Sequence, residues 1–356
     1  MKNIPAKFSL IVLFITFSIQ VSAQYFHVKK VEDENELSFL VLTGKTPAEN
    51  LINTYLQGQE LNLLPGKQKQ SYFENVAPAK GSTTGITELN YQVLTNSSSV
   101  FSVEINREYT SGKLNESSTV YNFDARTGRL IQLSDLFTTE GYQAVRKFVI
   151  ADRKKRLSNY LKTAKNPADA DATKVYTECL NSMTRDNLNA DDLKFGANGL
   201  SLTRKSCSDS HYFQALEDEA NVYANQLSIK FLLPHLNDYG KCLLKIKSEK
   251  CLFSPVAALR KGVYKGKINQ MYPITLLITY LEDKSCYGSY FYDKYGKAID
   301  FSGTIEKDSR LMLKKTQSDD PKSKPEVFNL KIMADGSLTG TWGDGEYTFP
   351  IHLVTF

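Results

Sequence analysis

The sequence predicts two regions of different class. The first is an α+β domain with an antiparallel sheet and helices on one face. The second is an all-β domain, an eight-stranded meander barrel or sandwich. Three observations carry this. Helix-start signals and amphipathic stretches are confined to the first 245 or so residues, and from about Val263 strict alternation replaces them. The 20 Tyr and 19 Phe against a single Trp favour pleated strands. A chain of 356 residues is also longer than one hydrophobic core usually serves. The expected division is a leader at 1–23, the α+β domain at 24–255 and the barrel-like domain at 256–356.

In order along the chain, Thr46-Pro47-Ala48-Glu49 is a capping box with proline at the first helical position. Leu51, Ile52, Tyr55 and Leu56 then give one apolar face. Residues 86–133 read as an antiparallel meander. Phe101, Val103 and Ile105 alternate with polar residues, as do Thr119, Tyr121 and Phe123. The last turn, Asp124 to Gly128, suits a glycine at positive φ. A helix is expected from about Glu140 to Leu161, half buried or broken where Asp152 and Arg156 approach its apolar stripe. A second is expected over Thr173 to Leu188, then a hairpin around Gly196 to Gly199, then a strand and short helix within Leu227 to Leu244. Beyond Val263 about eight strand candidates recur at roughly 12-residue spacing. Ser318 to Pro325 reads as a polar loop.

The N-terminus has the layout of a secretory signal peptide. Lys2 and Lys7 precede the uncharged run Phe8 to Phe17, and Val21-Ser22-Ala23 offers small residues before Gln24. That run is about half of the roughly 20 residues a membrane span needs. The expectation is a secreted or periplasmic protein with no membrane span after cleavage. Removing the leader takes the formal charge from +5 to +3, too little for a nucleic-acid footprint. The densest basic run, Arg153 to Arg156, reads as a solvated helix face or a dock for an acidic partner. Asp152 stands at helical ion-pair spacing from Arg156.

Export permits disulfides. Of the five cysteines, Cys242 and Cys251 flank a short segment, and Cys179 with Cys207 is the natural second pair, leaving Cys286. Spacing alone does not fix the connectivity.

The stretch Tyr121-Asn122-Phe123-Asp124-Ala125-Arg126-Thr127-Gly128-Arg129-Leu130, followed by Leu133-Ser134-Asp135-Leu136-Phe137, resembles an exported domain family of poorly defined function. That domain forms the sensor part of lysozyme-sensing anti-sigma factors and precedes the catalytic domain of a peptidoglycan deacetylase. The resemblance covers roughly residues 35–245. It marks Asn122, Asp124, Thr127, Gly128 and Asp135 as motif residues of a structural turn, and it implies a lysozyme-like protein as one kind of partner. The family often carries Gly-Ala-His between its two central strands, where this chain has Ser111 to Glu116 and no His. The C-terminal region is similar to small barrel modules of exported bacterial proteins. It also resembles avidin-type barrels, whose biotin sites need several Trp residues; only Trp342 is present.

The four His form no metal-ligand spacing. There is no nucleophile elbow and no dinucleotide fingerprint. No catalytic, cofactor-binding or metal-binding residue is therefore assigned, and no cofactor is expected. The aromatic run of Tyr287 to Tyr295 is the strongest binding feature. Tyr290 and Tyr292 share one strand face while Tyr287 and Phe291 share the other, so one pair belongs to the core. Tyr290, Tyr292 and Trp342 are the candidate partner-contact aromatics. The expected function is a non-enzymatic envelope protein that binds a protein or a cell-wall glycan. The alternatives are an envelope glycan hydrolase with an unrecognised carboxylate site and a purely structural envelope protein.

Overall fold

A computed structural model describes residues 25–33, 37–163, 170–183, 187–190, 192–204, 221–246, 251–254, 258–282, 284–316 and 325–356. The expected leader, Cys207 and most of the 318–325 loop lie outside the described residues.

The N-terminal region is α+β, with β1 (Val28–Glu32), β2 (Ser38–Leu42), α1 (Pro47–Leu61), β3 (Gly85–Asn96), β4 (Val100–Thr110) and β5 (Leu114–Asp124). Then come α2 (Thr139–Thr163), α3 (Ala170–Ser182), β6 (Asp192–Gly196), β7 (Gly199–Thr203), β8 (Ala224–Ser228), α4 (Ile229–Leu232) and α5 (Asp238–Leu243). These strands form the small sheets β1-β2, β3-β4-β5 and β6-β7-β8, with antiparallel pairing throughout each sheet. Side chains stitch the second sheet to the third. Asn122 donates its amide to the Leu193 carbonyl at 2.7 Å, and Asp192 accepts from the Val120 N–H at 3.1 Å.

The C-terminal region is a closed eight-stranded antiparallel barrel, so the barrel alternative of the sequence reading holds over the sandwich. Its strands are β9 (Gly262–Ile268), β10 (Tyr272–Glu282), β11 (Ser285–Tyr292), β12 (Ile299–Ile305), β13 (Arg310–Lys315), β14 (Val327–Ile332), β15 (Leu338–Gly343) and β16 (Thr348–Thr355). Each pairs with the next, and β16 closes on β9. Closure leaves no unpaired edge. Leu276, Tyr290, Phe301, Leu313, Phe328 and Leu353 are among the buried side chains of the barrel's own core.

Helix α1 joins the two regions. Its capping box forms in full: the Glu49 N–H donates to Thr46 Oγ1 at 3.2 Å, and the Thr46 N–H donates to Glu49 Oε2 at 3.2 Å. Its buried side chains share one core with Phe101, Val103, Tyr121 and Phe123 of the sheet and with Val263, Leu277 and Phe291 on the outer wall of the barrel. Gly58 makes the contact with the barrel possible, because a methyl group there would overlap the Leu277 side chain. Phe291 and Leu277 are thus fully buried although they belong to the outer wall.

Helix α2 is continuous, not broken. Val145, Val149 and Leu157 are buried, and Arg153 lies between them with no exposed surface. The basic run is therefore not a solvated face along its whole length. Arg153 Nε donates to Asn225 Oδ1 at 2.7 Å, and Arg156 pairs with Asp152 at 2.7 Å and caps the Ala224 carbonyl. Two of its four cations are engaged in holding the fold.

On the second sheet, Glu108 stands directly opposite Glu88 on one side and Glu116 on the other. Like charges so placed repel. The Glu108 carboxyl is held above its usual range by desolvation and then by Glu88 and Glu116. A raised folded-state value favours the protonated form, so its stabilising contribution is present at acid pH and lost as pH rises through that value. Glu108→Gln is expected to raise the melting temperature at pH 7, with the gain shrinking as pH falls through the raised folded-state value and gone below about pH 4. A pH series of thermal melts checks this, and a gain constant across pH would contradict it.

Candidate binding groove

The turn motif is built around Asp124. Its carboxylate is buried and accepts from the Arg126 N–H at 3.0 Å, from Arg126 Nε at 2.9 Å and from the Tyr239 hydroxyl at 3.0 Å. Its carbonyl accepts from the Gly128 N–H at 2.7 Å. Gly128 has φ +77° and lies against the Ala48 backbone at the start of α1. Thr127 is peripheral, its hydroxyl accepting from the Arg129 N–H at 3.3 Å. Asn122 bridges the sheets as described and accepts from the Ser102 hydroxyl.

Asp135, further along the motif, reaches the other region. It makes a two-pronged ion pair with Arg260, just before β9, and both side chains are buried. It also accepts from the Gln132 N–H at 2.9 Å. Phe253 faces two guanidinium groups, Arg129 at 3.2 Å and Arg260 at 4.9 Å from its ring centroid. Burial, then the nearby Arg260 charge, lowers the Arg129 pKa to about 10. The motif residues Asn122, Asp124, Gly128 and Asp135 are thus fold-makers, and Asp135 adds a buried ion pair to the contact that α1 makes between the α+β region and the barrel.

Beside this ion pair, the sheet and the barrel share a concave groove of about 260 Å³. Tyr55 of α1, Tyr121 of β5 and Tyr280 of β10 line it, with Arg107, Gln132 and Lys261. Tyr121 donates its hydroxyl to the buried Glu60, and its ring meets Tyr55 edge-on at 5.7 Å. Burial and then the Glu60 charge push the Tyr121 hydroxyl well up, so it stays protonated as a donor. Arg107 contacts Glu60 at 3.5 Å and donates Nε to Ser117 at 2.9 Å. Lys261 Nζ donates to the Asn189 carbonyl at 2.9 Å. The Gln132 side chain is buried, and its Nε2 has no acceptor. A register shift in β10 between Ile278 and Tyr280 lets the consecutive residues Thr279 and Tyr280 both line the groove. Tyr280 and its cross-strand neighbour Tyr287 lie with rings 5.5 Å apart and are exposed. A larger cavity, about 550 Å³, is lined by Asp135, Arg260, Tyr142, Tyr239 and Phe253.

The candidate partner-contact aromatics lie elsewhere. Tyr290 is fully buried inside the barrel, its ring 5.0 Å from Phe328, and Trp342 is nearly so. Neither offers a surface to a partner. Trp342 and Tyr292 instead converge on a residue that alternation does not single out. Glu326 Oε2 accepts from the Tyr292 hydroxyl at 2.6 Å and from Trp342 Nε1 at 3.0 Å, and Lys315 Nζ lies 3.6 Å from Oε1. The face shared by Tyr290 and Tyr292 is the core face. Of the other pair, Phe291 joins the core around α1 and Tyr287 is left to solvent.

Cys242 and Cys251 are disulfide-bonded with Cα atoms 5.3 Å apart. Cys179 is also disulfide-bonded; Cys207, its expected partner, lies outside the described residues. Cys286 is a free, buried thiol in the barrel, pushed up to about 11 by burial. It is expected to resist a thiol-reactive disulfide reagent at pH 8 in the native protein and to react at once in denaturant. Equal labelling rates in the two states would contradict this placement. Among the described residues no three of His, Cys, Asp and Glu are grouped to hold a metal ion, and no helix is long and apolar enough to cross a membrane.

Together these features define an α+β unit of antiparallel sheets fastened to an eight-stranded closed barrel. Among solved structures, the chain is similar to the crystal structure of a member of the DUF3298 family from Bacteroides fragilis NCTC 9343, determined at 2.30 Å resolution. The two share 12% identity with a TM-score of 0.38, over 64% of this chain and 98% of that chain. No protein-family model matches the chain, and no curated protein matches it.

Proposed function

We propose that this chain is an exported, non-enzymatic binding protein of the cell envelope and that it grips its ligand in the groove between the sheet and the barrel. The ligand is a cell-wall glycan or an envelope-associated protein, lysozyme-like proteins included. One observation carries the reading: the exposed ring of Tyr280 stands at a concavity whose buried wall includes Tyr55 and Tyr121 from two distant chain segments, with polar groups interspersed. Rings beside a few placed hydrogen-bonding groups are the general composition of a recognition site. The Glu60 carboxylate at its margin is bound to Tyr121 and Arg107, an arrangement that fixes side chains in place.

The test uses the full mature chain and compares it with the Tyr280→Ala variant, an exposed change. Co-sedimentation with purified peptidoglycan and capture of immobilised lysozyme are measured in parallel. The expected result is retention by one of the two supports, lost in the variant while its melting temperature is kept. No retention on either support, or retention indifferent to the variant, overturns the proposal. Processed protein in the extracytoplasmic fraction is the matching expectation for export; unprocessed protein in the cytosol contradicts it.

A further inference from the structure

From a different part of the molecule, we infer that the outer face of α2, with α4 beside it, docks on an anionic lipid bilayer, phenyl rings entering the headgroup region while a row of lysines meets the phosphates. This surface is separate from the groove, none of whose lining residues lies on α2 or α4. The first observation is a pair of rings that the fold leaves open. Phe148 is 46% exposed, on a helix whose inward face buries Val149, Arg153 and Leu157. Its ring lies 4.5 Å from that of the half-buried Phe231 on α4. Leu233, just past α4, is 43% exposed. Taking such surface out of water is favourable. The two rings already pack on each other, so little rotamer freedom is left to lose on docking.

The second observation is the charge around them. Helical spacing puts Ala144, Ala151, Lys155 and Lys162 on the stripe of Phe148, with Lys147 and Lys154 at its border. All six are exposed except Lys154, which is half-buried. None of the four lysines has an ion-pair partner among the described residues. Of the carboxylates of α2, Asp152 is taken by Arg156 and Asn225, and Glu140 stands about two turns before Phe148. The face is therefore cationic around its apolar centre.

The basic run also divides by residue type. Arg153 and Arg156 turn to partners within the fold, as forked guanidinium groups suit fixed acceptors. The lysines are left outside. An ammonium on a flexible stem is a point charge, suited to an array of phosphates with no fixed geometry. Exposed phenyl rings among lysines on a helix face are the composition of a surface that lies in the membrane interface. A helix face is a ridge, whereas an extended acidic peptide needs a cleft or a sheet edge. The observations favour a bilayer over a protein segment for that reason.

Co-sedimentation of the full mature chain with two sets of vesicles tests this, one of phosphatidylcholine alone and one of phosphatidylcholine with phosphatidylglycerol. The anionic set is expected to bind about tenfold or more tightly, with the difference shrinking as salt is raised. Lys147→Gln combined with Lys155→Gln is expected to lose about tenfold on the anionic set. Phe148→Ser and, separately, Leu233→Ser are expected to lose about threefold or more on it. These are exposed positions, so the variants are expected to keep the parent melting temperature. Equal binding to the two vesicle sets, or none to the anionic one, overturns the inference. Loss in the lysine variant with binding unchanged in both apolar variants also overturns it, and makes the face a dock for a soluble acidic polymer instead.

Discussion

Gly128→Ala is expected to cost about 3 kcal/mol, the sum of a left-handed backbone penalty and a forced separation from α1. Gly128 sits at φ +77°, and a methyl group there would overlap the Ala48 backbone, which has no rotamer to yield. The clash falls at the start of α1, so the damage passes to the helix that both halves of the protein share. Gly112→Ala is the control. It has φ +82° with open space around it, so it isolates the backbone penalty, about 1 kcal/mol. Urea midpoints of the two variants check the difference. Equal losses would show that the approach of the turn to α1 contributes nothing.

Asp135→Ala is expected to destabilise the protein by about 3–5 kcal/mol, because it strands the Arg260 guanidinium in a buried place. Both side chains are buried, and Arg260 makes both of its prongs to this one carboxylate. Asp135 also takes the Gln132 N–H, so the variant loses the local turn as well. The paired change Asp135→Leu with Arg260→Met removes both charges and is expected to recover most of the loss. Thermal and urea unfolding of the single and paired variants provide the measurement. An unchanged midpoint in Asp135→Ala would remove the ion pair from any account of how the two regions hold together.

The parts of this fold that are legible in the sequence are those set by neighbours along the chain. The Thr46 capping box, the alternation of Phe101 to Ile105 and the turn at Gly128 are decided within a few residues. Alternation on β11 also pairs Tyr290 with Tyr292 and Tyr287 with Phe291. It does not say which face is inside, because a period of two carries no sign. The barrel complicates matters further, since the core around α1 buries Phe291 on the outer wall as thoroughly as the interior buries Tyr290. Arg153 departs from expectation for a related reason. A cation in a basic run looks solvated until Asn225, 72 residues away, is seen to receive it. The groove is illegible to any local rule, because Tyr55, Arg107, Gln132, Lys261 and Tyr280 meet only after the barrel has closed against the sheet.

Helix α1 touching both halves has a bearing on how this chain can be handled. The change in architecture near residue 256 invites cutting the gene there. A C-terminal fragment would bare Leu277 and Phe291, and an N-terminal one would bare the flank of α1 around Gly58. Each piece would carry a greasy scar where its other half had been. The boundary visible in the sequence marks where the style of folding changes, not where the molecule comes apart.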